Sequence, residues 1–434
     1  MPCAGGRTTW SRPGRRRSGA EYCAGIDSIT DTGEGLEAWV ADTWSRSLSL
    51  RDWWRALADA RLAFPQWPEA NGGRGWDRAL LRRRNASLRD AGAIGPPTGL
   101  GVLMGAPIVI QYGTPDQQSR WLPELASGRE AWCQLFSEPG AGSDLAAVRT
   151  SAVRDGAEWV VDGQKVWTSG AAQSDRGMLV ARTNPDVPKH RGLSYFILDM
   201  DQPGVDVRPL HQMNGAAHFS EVFLDAARVD ERDLVDVENG GWAVTVATLG
   251  YERAGLGDAG AGGVRPPAGE RAGWLDRECG DVIDELSANR AEAADAPGAA
   301  HRLAALASTL DAPQRDRLVD VAARQRMAEW SARRAKGDAA AASTAKLAWT
   351  ERLKVARDLA LELQGPDGML VGTDAPDGGE AATFALSVPS ASIAGGTDEV
   401  QRNIISERIL GLPKDVQTDR DTPFRDVPGG GTAV

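Results

Sequence analysis

From Leu36 to about Arg129, apolar residues recur at three- and four-residue spacing around Trp53, Trp54 and Leu57. This periodicity predicts helices, broken by a proline-glycine stretch from Phe64-Pro65 to Gly75. The period changes at Trp132. Between there and about Val235 lie short β-rich runs: Trp159-Val160-Val161, Met178-Leu179-Val180, Tyr195-Phe196-Ile197-Leu198 and Val222-Phe223-Leu224. Asp155-Gly156 and Asp162-Gly163 stand where two-residue hairpin turns, whose central positions need positive φ, are expected.

Helical spacing returns at Trp242 and runs to Leu410, interrupted by a Gly/Pro/Ala-rich stretch from Gly257 to about Ala312 whose composition predicts a loop. One helix is expected from near Ser343, with Trp349, Leu353, Ala356, Ala360 and Leu363 on a stripe, ending at Gly365-Pro366. The last is expected to start at Thr397, whose hydroxyl can cap following amides, and to stop before Gly411 and Pro413. The expected fold class is α+β: an N-terminal helical domain, a middle antiparallel β-domain and a C-terminal helical bundle. The divisions are a disordered tail at 1–32, helices at 33–131, the β-domain at 132–238, helices at 239–413 with a long loop at 257–312, and a polar, glycine-rich tail at 414–434.

At 434 residues the chain can bury a sizeable core. A formal charge of -11 has the wrong sign for a surface that tracks nucleic acid, although a local basic pocket for a small polyanion remains compatible. Cys3, Cys23, Cys133 and Cys279 form no C-x-x-C pair or framework spacing, which fits a reducing cytoplasm. The basic start through Arg15-Arg16-Arg17 is followed by no apolar export segment, and the stretch Gly95 to Tyr112 is broken by Pro96, Pro97 and Pro107, so no membrane span is expected. His190, His211, His218 and His301 show no metal-ligand spacing and read as structural or surface residues, so no metal is expected.

Two segments can carry chemistry. Gln134-Leu135-Phe136-Ser137-Glu138-Pro139-Gly140-Ala141-Gly142-Ser143-Asp144 is a polar, glycine-rich turn at the helix-to-β boundary. Its glycines allow backbone amides to approach a ligand, and Ser137 and Ser143 add hydroxyls; as a bare pattern it reads more readily as an ordinary domain-joining loop. Gln164-Lys165-Val166-Trp167-Thr168-Ser169-Gly170 ends an expected strand with an aromatic ring beside two hydroxyls, and taken alone Trp167 reads as a core residue.

In this order the two segments resemble the acyl-CoA dehydrogenase family. The resemblance continues through Phe64-Pro65-Gln66-Trp67-Pro68, Gly113-Thr114-Pro115-Asp116-Gln117-Gln118, Gly365-Pro366-Asp367-Gly368 and Gly395-Gly396-Thr397-Asp398-Glu399-Val400-Gln401-Arg402. It implies FAD bound between subunits and oxidation of an acyl-CoA to its trans-2-enoyl product. Gln134, Leu135, Phe136 and Ser137 would approach the flavin, and Ser143 the flavin or pantetheine. Trp167 would pack on the isoalloxazine, with Thr168 and Ser169 beside it. Gly396 and Thr397 would form a helix start suited to an anionic cofactor group, with Glu399 also in the cofactor-binding set.

Many members of the family place the catalytic glutamate just before the last helix, where this chain has Gly395. The alternative position, on the first helix after the β-domain, reads Tyr251-Glu252-Arg253. The resemblance therefore implies Glu252 as base, with Arg253 in the substrate set. The Arg-x-Gln-Phe-Gly element expected early in the C-terminal helices is missing; Arg324-Gln325-Arg326 lies nearby without it. A homo- or hetero-oligomer is implied, since the sequence resembles actinobacterial catalytic chains completed by a dissimilar subunit. An electron-transfer flavoprotein is the implied acceptor. Two other readings stand beside it: a non-catalytic subunit that completes an FAD site, and a flavin oxidase or monooxygenase of the same fold.

Overall fold

The computed structural model describes residues 29–256, 265–295, 310–334, 339–375, 378–414 and 419–427. Helices α1 (Leu36–Thr43) and α2 (Leu50–Asp59) come first. Helix α2 begins where the Ser49 hydroxyl accepts the Asp52 amide at 3.0 Å, and its spacing buries Leu50, Trp53, Trp54 and Leu57 completely. The buried indoles keep partners: Trp53 Nε1 donates to the Ile94 carbonyl (2.7 Å) and Trp54 Nε1 to that of Gly95 (2.8 Å). The proline-glycine break is the loop to α3 (Arg78–Asp90), which Asp77 caps.

A single π turn at Gly101–Gly105 leads into α4 (Ala106–Tyr112), and α5 (Pro115–Ala126) opens with a capping box between Thr114 and Gln117. Gln117 Nε2 also donates to the carbonyls of Arg232 and Leu234, both at 2.7 Å, and so fastens α5 to the end of the sheet.

The middle layer is one eight-stranded sheet: β1 (Trp132–Leu135), β2 (Ser151–Asp155), β3 (Glu158–Ser169), β4 (Arg176–Arg182), β5 (Leu193–Asp199), β6 (Val205–Leu210), β7 (Phe219–Asp230) and β8 (Leu234–Val235). Its order is β6-β7-β3-β2-β4-β5-β8. The first strand, β1, lies off this path and pairs with β4 in parallel, as β2 does through a single bridge; the other pairs are antiparallel, so the sheet is mixed and not purely antiparallel. The two Asp-Gly pairs behave differently. Asp155-Gly156 begins the β2–β3 hairpin, with Gly156 at φ 65°. Asp162-Gly163 forms no turn but lies inside β3 at a register shift. A Cβ on Gly163 would fall 2.7 Å from the Thr150 Cα, so close backbone approach is what requires this glycine.

After the sheet come α6 (Gly241–Leu256) and α7 (Cys279–Asp295). The loop expected at 257–312 contains structured residues. Residues 257–264 and 296–309 lie outside the described residues, but the part between them is structured. The Leu50 and Arg51 amides donate to the Arg277 and Leu275 carbonyls, the Cys279 amide donates to the Leu48 carbonyl, and Leu275, Cys279 and Val282 join the N-terminal core. A few buried apolar residues in an otherwise Gly/Pro/Ala-rich stretch suffice to anchor it, which composition averaged over the stretch conceals.

The C-terminal helices are α8 (Ala312–Arg334), α9 (Ala339–Gln364), α10 (Glu380–Ala391) and α11 (Asp398–Ile404). On α9 the expected stripe is buried at Ala356 and partly buried at Leu353, Ala360 and Leu363, but Ser343, Thr350 and Leu359 are buried beside it and Trp349 is 43% exposed. Thr350 faces inward because its hydroxyl donates to the Asp398 carboxylate (3.0 Å). The C-terminal segment returns to the sheet, where Phe424 is buried. Among the described residues no helix is long and apolar enough to cross a membrane.

Candidate active site

The loop after β1 is held by a buried ion pair. Lys165, fully buried in β3, donates from Nζ to Glu138 Oε1 (2.8 Å) and to the carbonyls of Phe136 (3.0 Å) and Val180 (2.8 Å). Glu138 accepts in addition the amides of Arg149 (2.7 Å) and Thr150 (2.9 Å). Burial alone would raise the Glu138 pKa, but the Lys165 ammonium and the two amides outweigh it and hold the carboxyl below its usual range. The Val166 amide donates to the Ser137 carbonyl at 2.9 Å, so Gln134 to Ser137 and the end of β3 are joined directly. Leu135 and Phe136 are core residues, Gln134 and Ser137 are partly exposed, and Ser143 is exposed at the loop tip. At Gly140 and Gly142 an added Cβ would meet nothing within 4 Å, which leaves the tip open.

The strand end carries a bulge. Register shifts between Lys165 and Thr168, and Trp167 takes φ 62°. An aromatic residue in the left-handed region costs on the order of 1–3 kcal/mol and persists only where its surroundings impose it. Here the bulge turns Lys165 and Thr168 inward and leaves the Trp167 ring 55% exposed, edge-on to Phe219 at 5.7 Å between centroids. The ring is therefore not a core residue. Thr168 is fully buried, its Oγ1 has no hydrogen-bond partner, and Ser169 is exposed.

Glu252 sits on α6. Its first turns press on β5 so closely that a Cβ on Gly241 would lie 2.5 Å from the Ser194 carbonyl carbon. Val244, Thr245 and Thr248 form the buried face, with the Thr248 hydroxyl donating to the Val244 carbonyl at 2.8 Å. Glu252 is one helical step of four beyond Thr248 and so extends that face, half-buried, to where α6 passes the π turn and α4. Tyr251 Oη donates to Gln111 Oε1 on α4 (3.1 Å), which fixes this end of the helix. Arg253 is on the same helix, and its side chain lies outside the described residues.

At α11 the Thr397 hydroxyl accepts the Val400 amide (3.1 Å), Gly395 and Gly396 both take positive φ, and Gln401 Nε2 donates back to the Gly395 carbonyl (2.8 Å). Glu399 is exposed. What locates the turn is Asp398, a buried carboxylate that accepts from Lys346 Nζ and Lys354 Nζ on α9, both at 2.8 Å. The loop Met213-Asn214-Gly215 reaches the same bundle through Asn214 Nδ2, which donates to the Ser387 hydroxyl at 2.8 Å.

Burial would raise the Asp398 pKa, yet the two lysines hold the carboxyl well below the usual range. The stability it contributes is complete above the ordinary carboxylate pKa near ~4 and is lost as pH falls through its folded value. Asp398→Asn should accordingly lower the urea midpoint near neutral pH, and the gap from the unsubstituted protein should narrow below about pH 4. A gap independent of pH would show that Asp398 acts by shape alone.

Glu138, Lys165 and Asp398 escape sequence reasoning, although an ionic residue inside an otherwise β-forming run at 158–169 was a usable signal for Lys165. His190 packs edge-on to Trp242 (4.8 Å), and no described group of His, Cys, Asp and Glu could hold a metal ion. Cys133 is buried, its thiol pushed up to about 12 by burial, which makes it inert.

Three successive domain families match this architecture: the acyl-CoA dehydrogenase N-terminal domain at residues 34–129, its middle domain at 133–227 and its C-terminal domain at 239–410. The chain belongs to the acyl-CoA dehydrogenase family. It is 38% identical over 369 residues to the acyl-CoA dehydrogenase IpdE1 of Mycobacterium tuberculosis, covering 85% of this chain and 89% of that one. Among solved structures it resembles the ChsE4-ChsE5 complex from Mycobacterium tuberculosis, with 27% identity, TM-score 0.60, and 91% and 94% coverage. It also resembles a variant of the Tcur3481-Tcur3483 steroid ACAD, with 25% identity, TM-score 0.59, and 91% and 98% coverage.

Proposed function

We propose that this chain catalyses FAD-dependent α,β-dehydrogenation of an acyl-CoA thioester to the trans-2-enoyl-CoA, with Glu252 as the base. The observation that carries the reading is the Trp167 ring, held exposed at a strained bulge one residue beyond the Val166 amide that joins β3 to the glycine-rich loop at Ser137. A large aromatic face offered to solvent fits a flat heteroaromatic cofactor. The unpartnered Thr168 hydroxyl and the exposed Ser169 add polar groups next to it. FAD would be held by Gln134 to Ser137, Ser143, Trp167, Thr168 and Ser169, with Gly396 and Thr397 receiving an anionic part and Glu399 completing the cofactor set. Bound FAD would supply the acceptor for the β-hydride, and an electron-transfer flavoprotein would reoxidise it.

The chain's own residues have three tasks. The Glu252 carboxylate, half-buried on α6, takes the α-proton. Ser143 and Arg253 position the thioester. The exposed Trp167 face would be covered by bound FAD and substrate and so keep water from that side of the reacting carbons.

The functional unit is an oligomer, a reading supported by the two-component names of the solved relatives. Val319, Met327 and Trp330, at helical spacing on α8, are all exposed, as is Trp349 on α9, and a second acyl-CoA dehydrogenase-like chain would cover them. Purification alone and with such a chain, followed by an absorbance spectrum and native mass, tests this: flavin bands on an oligomer are expected. Trp167→Ala should weaken FAD retention by roughly fivefold or more, since an aromatic contact contributes about 1 kcal/mol beyond its area. Protein that stays colourless in both preparations, or unchanged retention in the variant, would reject the cofactor site.

A further inference from the structure

The strongest unexplained feature outside the site is the return of the C-terminal segment to the sheet. The Phe424 amide donates to the Val187 carbonyl (2.9 Å) and the Arg425 amide to that of Pro185 (3.0 Å); Arg425 also pairs with Asp186. The Phe424 ring lies over the Arg182 guanidinium, 3.5 Å from centroid to Cζ. Arg182, buried in β4, spends its donors on three carbonyls: Ala146 (2.7 Å), Val148 (3.1 Å) and Lys189 (3.0 Å). Ala146 and Val148 belong to the descending arm of the glycine-rich loop. Lys189 Nζ in turn bridges Asp144 on that loop (2.8 Å) and Asp419 on the C-terminal segment (3.1 Å).

From this connectivity we infer that residues 419–427 are a strap that positions the Asp144-to-Val148 arm of the loop, acting through Arg182 and Lys189. The physical argument is a matter of competition for Arg182. A guanidinium bound to three carbonyls has no carboxylate among those partners, and the ring above it supplies a favourable face while excluding water. Burial also pulls its pKa down to about 10, with Glu138 and Asp144 acting against the shift. Remove the ring and water reaches the guanidinium, competes with the Ala146 and Val148 carbonyls, and lets the arm loosen. Glu138 and Lys165 pin the loop from inside the sheet, and the strap pins it from outside. Phe424 and Asp419 are positioning residues. This inference rests on the proposed function only in taking that loop as ligand-bearing.

The test is hydrogen exchange by mass spectrometry on the full-length, flavin-free protein, which reads the loop whether or not FAD binds. Phe424→Ala should raise exchange of the amides at 144–150 about fivefold or more, the scale of a lost cation–π contact. Phe424→Trp should restore protection, and Phe424→Leu, which fills space without a ring, should not. Asp419→Asn should loosen the same amides, less at high salt where the bridge is already screened. FAD affinity should fall in parallel with exchange across the series. Loop exchange unchanged in Phe424→Ala and Phe424→Leu, or full protection restored by Leu, would overturn the inference; loosened amides with undiminished FAD affinity would uphold the strap and reject the loop as ligand-bearing. If the unsubstituted protein binds no FAD, the cofactor reading fails while loop exchange still decides the strap.

Discussion

Glu252→Gln is expected to retain FAD and the oligomer while slowing substrate-driven flavin bleaching by roughly two to four orders of magnitude, the scale of general-base loss. The substitution keeps the shape of the side chain and removes its capacity to accept a proton. The α-proton of a thioester is weakly acidic, so a carboxylate placed against it determines whether the reaction proceeds. No carboxylate stands at Gly395, the position before the last helix. Glu252 instead continues the buried face of α6 that Val244 and Thr248 begin, on a helix secured by Tyr251 to Gln111. Stopped-flow absorbance with a turnover-competent acyl-CoA gives the rate. Near-normal bleaching would falsify the assignment, and normal binding with slow bleaching would separate Glu252 from a residue that merely supports the helix.

The largest stability effect is expected at Lys165. Lys165→Met removes the ammonium and leaves Glu138 buried with only the Arg149 and Thr150 amides, and strands the carbonyls of Phe136 and Val180. Breaking a buried pair from one side costs about 3–5 kcal/mol. The urea midpoint should drop accordingly, and the loop from Ser137 to Thr150 should become protease-sensitive. Adding Glu138→Gln should recover part of the loss, because the uncompensated charge is then gone. If Lys165→Met costs less than about 1 kcal/mol, or if the double variant is no better than the single one, the pair does not organise the loop.

Some of this was readable before any coordinates. Trp53, Trp54 and Leu57 at helical spacing, the β-rich runs in β3, β4, β5 and β7, and the Thr397 hydroxyl ahead of Glu399 and Val400 specify local structure through side-chain period and capping. Asp162-Gly163 shows the limit of that reading. It has turn chemistry, but Gly163 is required by Thr150 from another part of the chain, and no local rule reports an approach of that kind. The same holds for residues 265–295, where a few anchoring apolar side chains matter more than average composition.

By itself the sequence determined the order of helical, β and helical segments, because periodicity is a local property, and the motifs that mark the family, because they are written in contiguous residues. Only the tertiary structure decided which charges meet. Lys165 finds Glu138 across 27 positions, Asp398 finds Lys346 across 52, and Lys189 finds Asp419 across 230. Such pairs form when packing brings distant strands and helices together and excludes water from between them, so the energy that holds the loop in place belongs to the folded arrangement and is invisible in any window of the chain.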